Sequence, residues 1–143
     1  MHACLTAFTG AARGKGSEMA DITSSVNWLA VIVGFVVAYA AGWLWYGPLF
    51  GKAWFGGQNI VMPVKPPFLA MAVQAAGTFL LAWVIGVTET TNALALTILI
   101  VATIVVLMIA GGLYSQKRGD VIGIETGYVV AMAVIMVAAQ ALL

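Results

Sequence analysis

Trp45-Tyr46-Gly47-Pro48-Leu49-Phe50-Gly51-Lys52-Ala53-Trp54-Phe55 closes the first of four long apolar runs. Trp and Tyr settle at the headgroup level of a bilayer, Lys prefers water, and a Pro following Gly stops a helix. The stretch reads as the boundary where a spanning helix leaves the membrane and the chain turns along its surface. Trp43, Trp45, Tyr46, Lys52 and Trp54 are the expected anchors of that boundary. The apolar residues Leu49, Phe50, Trp54 and Phe55 are expected to lie flat at the interface.

Outward from this boundary, the four runs occupy 27–46, 68–87, 93–114 and 121–143. Each holds about 20 residues, and a helix rising ~1.5 Å per residue then covers the ~30 Å hydrocarbon core. Lipid offers the backbone no hydrogen bonds, so only helices or a closed barrel can span it. Barrel strands would alternate polar and apolar residues, and these runs are apolar on every side. The expected fold is all-α: an antiparallel four-helix transmembrane bundle over 27–143.

Composition agrees. The 143 residues are 63% hydrophobic and 8% charged, with a mean hydropathy of +1.06, where a soluble domain carries about 25% charged residues. A water-exposed surface cannot be assembled from so few charges. The formal net charge of +1 provides no field for nucleic acid. Cys4 is the single cysteine, so no intrachain disulfide forms.

Residues 1–26 read as a flexible extension outside the bundle. The first eighteen are rich in Ala, Gly and Thr, carry Arg13 and Lys15, and lack an apolar core long enough for a secretory leader. Met19-Ala20-Asp21 reads as an alternative start, which would make the segment before it an over-called one. Connection 47–67 holds all four prolines, so no helix runs through it. Thr91 or Asn92 is the expected N-cap of the third span, and Asp120 that of the fourth. Lys52, Lys65, Lys117 and Arg118 share connections 47–67 and 115–120. The positive-inside rule then makes those connections cytoplasmic and both termini outward, in a bacterial inner membrane.

Helices in lipid associate where small residues let backbones approach. Gly34, Ala38 and Gly42 recur every fourth residue in the first span, as do Gly123, Gly127 and Ala131 in the fourth; Ala72 with Ala76 and Ala82 with Gly86 add to the second. These stripes fit either packing within one chain or a homodimer. The third span, richest in Ile, Val and Leu, is the candidate for the most lipid-exposed helix.

Polar side chains inside a span are costly and point to function. Counting from the helix ends, Tyr39, Gln74 and Glu125 all fall about 7–11 Å below one face, with Tyr128 one turn deeper. They form a candidate polar layer in one half of the bilayer. Glu125 is the only carboxylate within a span and shares a helix face with Tyr128, Met132 and Met136. Facing a cavity, it would take up and release a proton. Near the first turn of its helix, it would instead reach back to Lys117 or Arg118 in a structural role. Gln74 reads first as a bridge between helices. His2 and Cys4 are too few for a metal site, and no phosphate loop, Ser/His/Asp set or CxxC appears, so neither metal, cofactor nor enzymatic activity is expected.

Asn27-Trp28-Leu29-Ala30-Val31 opening the first span, the Trp45–Trp54 exit, and Gly127-Tyr128 in the last span resemble the domain of unknown function 1761 family. Those are short bacterial membrane proteins with the same Trp-Tyr-Gly-Pro exit. The resemblance covers roughly 27–143; the leader and the brief third connection depart from it. It implies membrane topology and bacterial origin, and no mechanism. The expected function is that of a small membrane protein working through helix contacts, by self-association or as a subunit of a larger membrane complex. A small proton-coupled transporter or channel built on Glu125 is the alternative, and an enzyme acting on lipid comes third.

Overall fold

The computed structural model describes residues 20, 22–61, 64–65 and 67–143, and among them the chain forms five α-helices and no strand. They are α1 (Trp28–Leu44), α2 (Gly51–Gln58), α3 (Phe68–Thr90), α4 (Leu94–Tyr114) and α5 (Gly119–Leu142). A π-helical turn, Trp45–Leu49, continues α1. Four segments, Trp28–Leu49, Phe68–Thr90, Leu94–Tyr114 and Gly119–Leu142, are long and apolar enough to cross a membrane. The expectations for residues 1–18 and for a start at Met19 lie outside the described residues.

The helix ends differ from the sequence reading, each for a local reason. Gly47-Pro48 does not stop the first helix at Tyr46. Pro48 lacks an N–H and its ring collides with the carbonyl four residues back in an α-helix. The backbone widens by one residue instead, and the Phe50 N–H reaches the Trp45 carbonyl at 2.9 Å. Thr88, Glu89 and Thr90 extend α3 beyond 87. Thr91 and Asn92 close α3 rather than cap α4: the Thr91 hydroxyl donates to the Thr88 carbonyl at 3.1 Å. Asn92 takes φ 51°, a left-handed conformation that Asn tolerates and that ends a helix. Ala93 is left as the N-cap of α4 without a side-chain bond. Asp120 lies inside the first turn of α5, where the helix dipole favours a carboxylate, and Arg118 holds the cap position. Asn27 does cap α1, accepting from the Ala30 N–H at 3.2 Å.

The core is built around α5, which packs against α1, α2, α3 and α4. Val121, Ile124, Tyr128, Val129, Met132 and Met136 are among its buried residues. α1 meets it with its small face. Without a Cβ, Gly34 leaves Met136 Cα and Ala139 Cβ each 3.4 Å from the position that atom would take. Ala38 is fully buried, and Gly42 lies beneath the Tyr128 ring. Small residues on α1 thus receive large ones on α5, so the two small-residue stripes do not meet. Gly127 faces the Trp45 ring, Ala131 is half-buried, and no described atom comes within 4 Å of a Cβ at Gly123. Among the described residues, nothing packs against Gly123.

α3 joins the bundle through its second half. Thr78, Ala82, Ile85, Gly86 and Thr88 are buried, and none of Phe68–Gly77 is. Thr88 and Thr97 share a buried hydroxyl–hydroxyl bond of 2.6 Å that links α3 to α4. α4 buries only Thr97 and Gly112, the least of any long helix, as its Ile, Val and Leu content requires. The end of the segment read as a flexible extension is tied in: Val26 is buried and the Trp83 indole donates to the Ile22 carbonyl at 2.7 Å.

Candidate functional site

The exposed first half of α3 leaves an opening at the end of the bundle where α1 exits. A cavity of about 820 Å³ occupies it. Tyr39, Gly42, Trp43 and Tyr46 line it from α1 and the π turn, and Trp54 and Phe55 from α2. Ala70, Met71 and Gln74 come from α3, Met108 from α4, and Glu125 and Tyr128 from α5. The four residues of the candidate polar layer, Tyr39, Gln74, Glu125 and Tyr128, all reach this one cavity. Of the expected anchors, Trp43, Tyr46 and Trp54 line it as well, Trp45 packs behind it, and Lys52 is exposed.

Each polar group is held in place by the fold. The Tyr39 hydroxyl donates to the Met71 carbonyl at 3.2 Å, a strut between α1 and the outlying half of α3. The Tyr128 hydroxyl donates to the Ala38 carbonyl at 3.0 Å, across the α1–α5 contact that Gly42 makes room for. The Trp45 indole donates to the Ile124 carbonyl at 3.1 Å. The Gln74 amide donates to the Thr78 hydroxyl at 3.2 Å, one turn along α3, and its side chain also meets the Tyr128 hydroxyl of α5.

Glu125 is doubly bound. The Lys117 ammonium sits 2.8 Å from Oε1 and 3.0 Å from Oε2, with the side chains 30% and 17% exposed respectively. The Trp54 indole donates to Oε1 at 3.1 Å. Arg118, the other basic residue in reach by sequence, pairs with Asp120 at 3.0 Å on the surface. The carboxylate therefore fastens three pieces together: α2, the α4–α5 turn and the body of α5. α2 lies over the start of α5, where a Cβ on Gly57 would overlap the Val121 side chain.

Aromatic rings complete the wall. Tyr46 stands edge-on to both Tyr128 and Trp54, at centroid distances of 5.3 and 5.2 Å, and Trp54 edge-on to Phe55 at 4.9 Å. Such contacts add about 0.5–1.5 kcal/mol each beyond their buried area. Sequence reasoning had Tyr46 and Trp54 only as membrane anchors; the Trp54–Glu125 bond depends on how α2 folds back, which local pattern does not encode. Trp54→Phe should lower stability by about 1.5 kcal/mol, since it strips a charged acceptor of one donor. Thermal unfolding in mild detergent measures this, and an unchanged melting temperature would mean the bond contributes nothing.

One carboxylate, already paired, stands among aromatic and apolar groups, and among the described residues no His, Cys, Ser, Lys or Arg lines the cavity. Among known proteins, the family model described as protein of unknown function (DUF1761) matches residues 29–140. No curated protein matches the chain, and no solved structure does.

Proposed function

From the premise that this chain belongs to the DUF1761 family of proteins of unknown function, we propose that it is a non-enzymatic integral membrane protein that takes an amphipathic small molecule into the cavity at one end of its bundle. It crosses the bacterial inner membrane four times as an antiparallel bundle, with connections 47–67 and 115–120 in the cytoplasm and both termini outside. Contacts pairing the start of α1 with the end of α5 (Gly34 with Ala139) and the end of α1 with the start of α5 (Trp45 with Ile124) support the antiparallel arrangement. The basic residues of the two connections support the orientation.

The observation that carries the binding role is the cavity itself. Its size of about 820 Å³ and its apolar, aromatic wall with a few convergent polar groups are those of a small-molecule site. The helix-contact reading draws less support, because Gly34, Ala38 and Gly42 are already occupied by α5 within the chain. Proton coupling through Glu125 also draws less, because Lys117 and Trp54 hold that carboxylate. Native mass spectrometry of the protein released from mild detergent provides the test. A bound amphipathic species is expected on the wild type and absent from Ala70→Trp, which fills the cavity from its exposed wall. An empty wild type, or the same species on both, would refute the reading.

A further inference from the structure

We propose that the ligand of this cavity is a lipophilic organic cation, an ammonium or phosphonium on an apolar body, which displaces Lys117 from Glu125. The proposal rests on the binding role above and specifies its chemistry. Six aromatic residues face the cavity: Tyr39, Trp43, Tyr46, Trp54, Phe55 and Tyr128. Aromatic faces carry the negative side of a quadrupole and attract a cation within about 6 Å. Among the described residues, the charged one on the wall is a carboxylate, and no basic side chain lines it.

The hydrogen-bond directions point the same way. The Tyr39 hydroxyl gives its proton to the Met71 carbonyl, which leaves its oxygen to accept, while the Tyr128 hydroxyl gives its proton to the Ala38 carbonyl and meets the Gln74 side chain. The Trp54 indole gives its proton to Glu125. The donors left on the wall, such as the Trp43 indole and the Tyr46 hydroxyl, are neutral. A phosphate or carboxylate entering here meets a carboxylate whose lysine is already paired to it; a cation meets that carboxylate and aromatic rings.

Lys117 makes the exchange possible. It sits on the short α4–α5 turn outside the cavity wall, and its side chain is 30% exposed, with a flexible four-carbon stem. In the empty cavity its ammonium neutralises Glu125. When a second cation arrives, Lys117 swings to water and the carboxylate keeps a partner throughout. The site never has to hold an unpaired charge, which would cost several kcal/mol in a low-dielectric setting.

Two ions of the same shape and opposite charge test this: tetraphenylphosphonium and tetraphenylborate, titrated against the full chain in zwitterionic lipid nanodiscs. Phosphonium should bind at least about tenfold more tightly than borate. Lys117→Gln should tighten phosphonium by about tenfold, and Glu125→Gln should weaken it by a similar factor. Lys117→Arg, which keeps a cation on the carboxylate, should stay near the wild-type value. Should Glu125→Gln fail to fold, the gain in Lys117→Gln still decides the matter. A purely structural pair predicts the opposite, with Lys117→Gln no tighter or weaker. Equal binding of both ions that disappears in Ala70→Trp would overturn the charge preference while leaving the cavity role standing. No phosphonium binding at all would overturn the inference, whatever native mass spectra show in the cavity.

Discussion

Gly42→Ala is expected to unfold the protein in mild detergent at a markedly lower temperature than the wild type. A Cβ there would overlap the Tyr128 hydroxyl and stand 2.7 Å from Cζ of the same ring. The ring can yield only toward the cavity it lines, at the expense of its own contacts. Its hydroxyl is tied to the Ala38 carbonyl, and Trp45 and Tyr46 flank it at centroid distances of 6.2 and 5.3 Å. Overpacking of this kind costs about 1–3 kcal/mol, and loss of the Tyr128 hydrogen bond adds about 1 kcal/mol. Tyr128→Phe on the same background removes the overlapping oxygen but not Cζ, so it should recover only part of the loss. Gly123→Ala is the control: with open space beside it, the gain in helix propensity should leave stability unchanged or raise it by up to about 1 kcal/mol. Equal melting temperatures for Gly42→Ala and Gly123→Ala would show that the α1–α5 contact is looser than described.

Gly51→Ala is expected to detach α2 from the bundle. The new Cβ would fall 2.5 Å from the carbonyl oxygen of Tyr46 and 3.2 Å from its carbon. Those are backbone atoms, which cannot rotate aside as a side chain does. Room can be made only by opening the π turn, and that withdraws Trp54 from Glu125. The combined loss should be about 2–4 kcal/mol, counting overpacking and the charged hydrogen bond together. Hydrogen–deuterium exchange locates the damage: protection over 45–58 should fall while that of α4 stays as it was. Unaltered exchange across 45–58 would mean that the turn tolerates a methyl group.

Much of this architecture is legible in the sequence because its apolar runs share the length that a bilayer would require. Runs of about 20 apolar residues mark all four long helices, and turn-counting from their ends sets Tyr39, Gln74 and Glu125 at one level. The structure brings these three and Tyr128 to a single cavity. What pattern could not supply was decided by contacts distant in sequence or by backbone geometry. Thr91 and Asn92 look like caps for the helix that follows, yet their own bonds run backward into α3. Lys117 and Arg118 are adjacent and both positively charged; the turn after α4, with Gln116 at φ 55°, delivers only the first to Glu125. Trp54 carries the composition of a membrane anchor, and its service to Glu125 appears only once α2 has folded onto α5.

The central position of α5 has a consequence for biosynthesis. The bonds that join it to the first helix, Trp45 to Ile124 and Tyr128 to Ala38, close loops of 79 and 90 residues. Under the membrane reading proposed above, a nascent chain would release α1 into lipid with its glycine seam uncovered by α5 until the ribosome has delivered the fourth hydrophobic stretch. The carboxylate of that stretch does not travel unescorted, because its lysine lies only eight residues upstream. Both charges can leave the insertion channel as one neutral hairpin and dock afterwards as the keystone of the assembly.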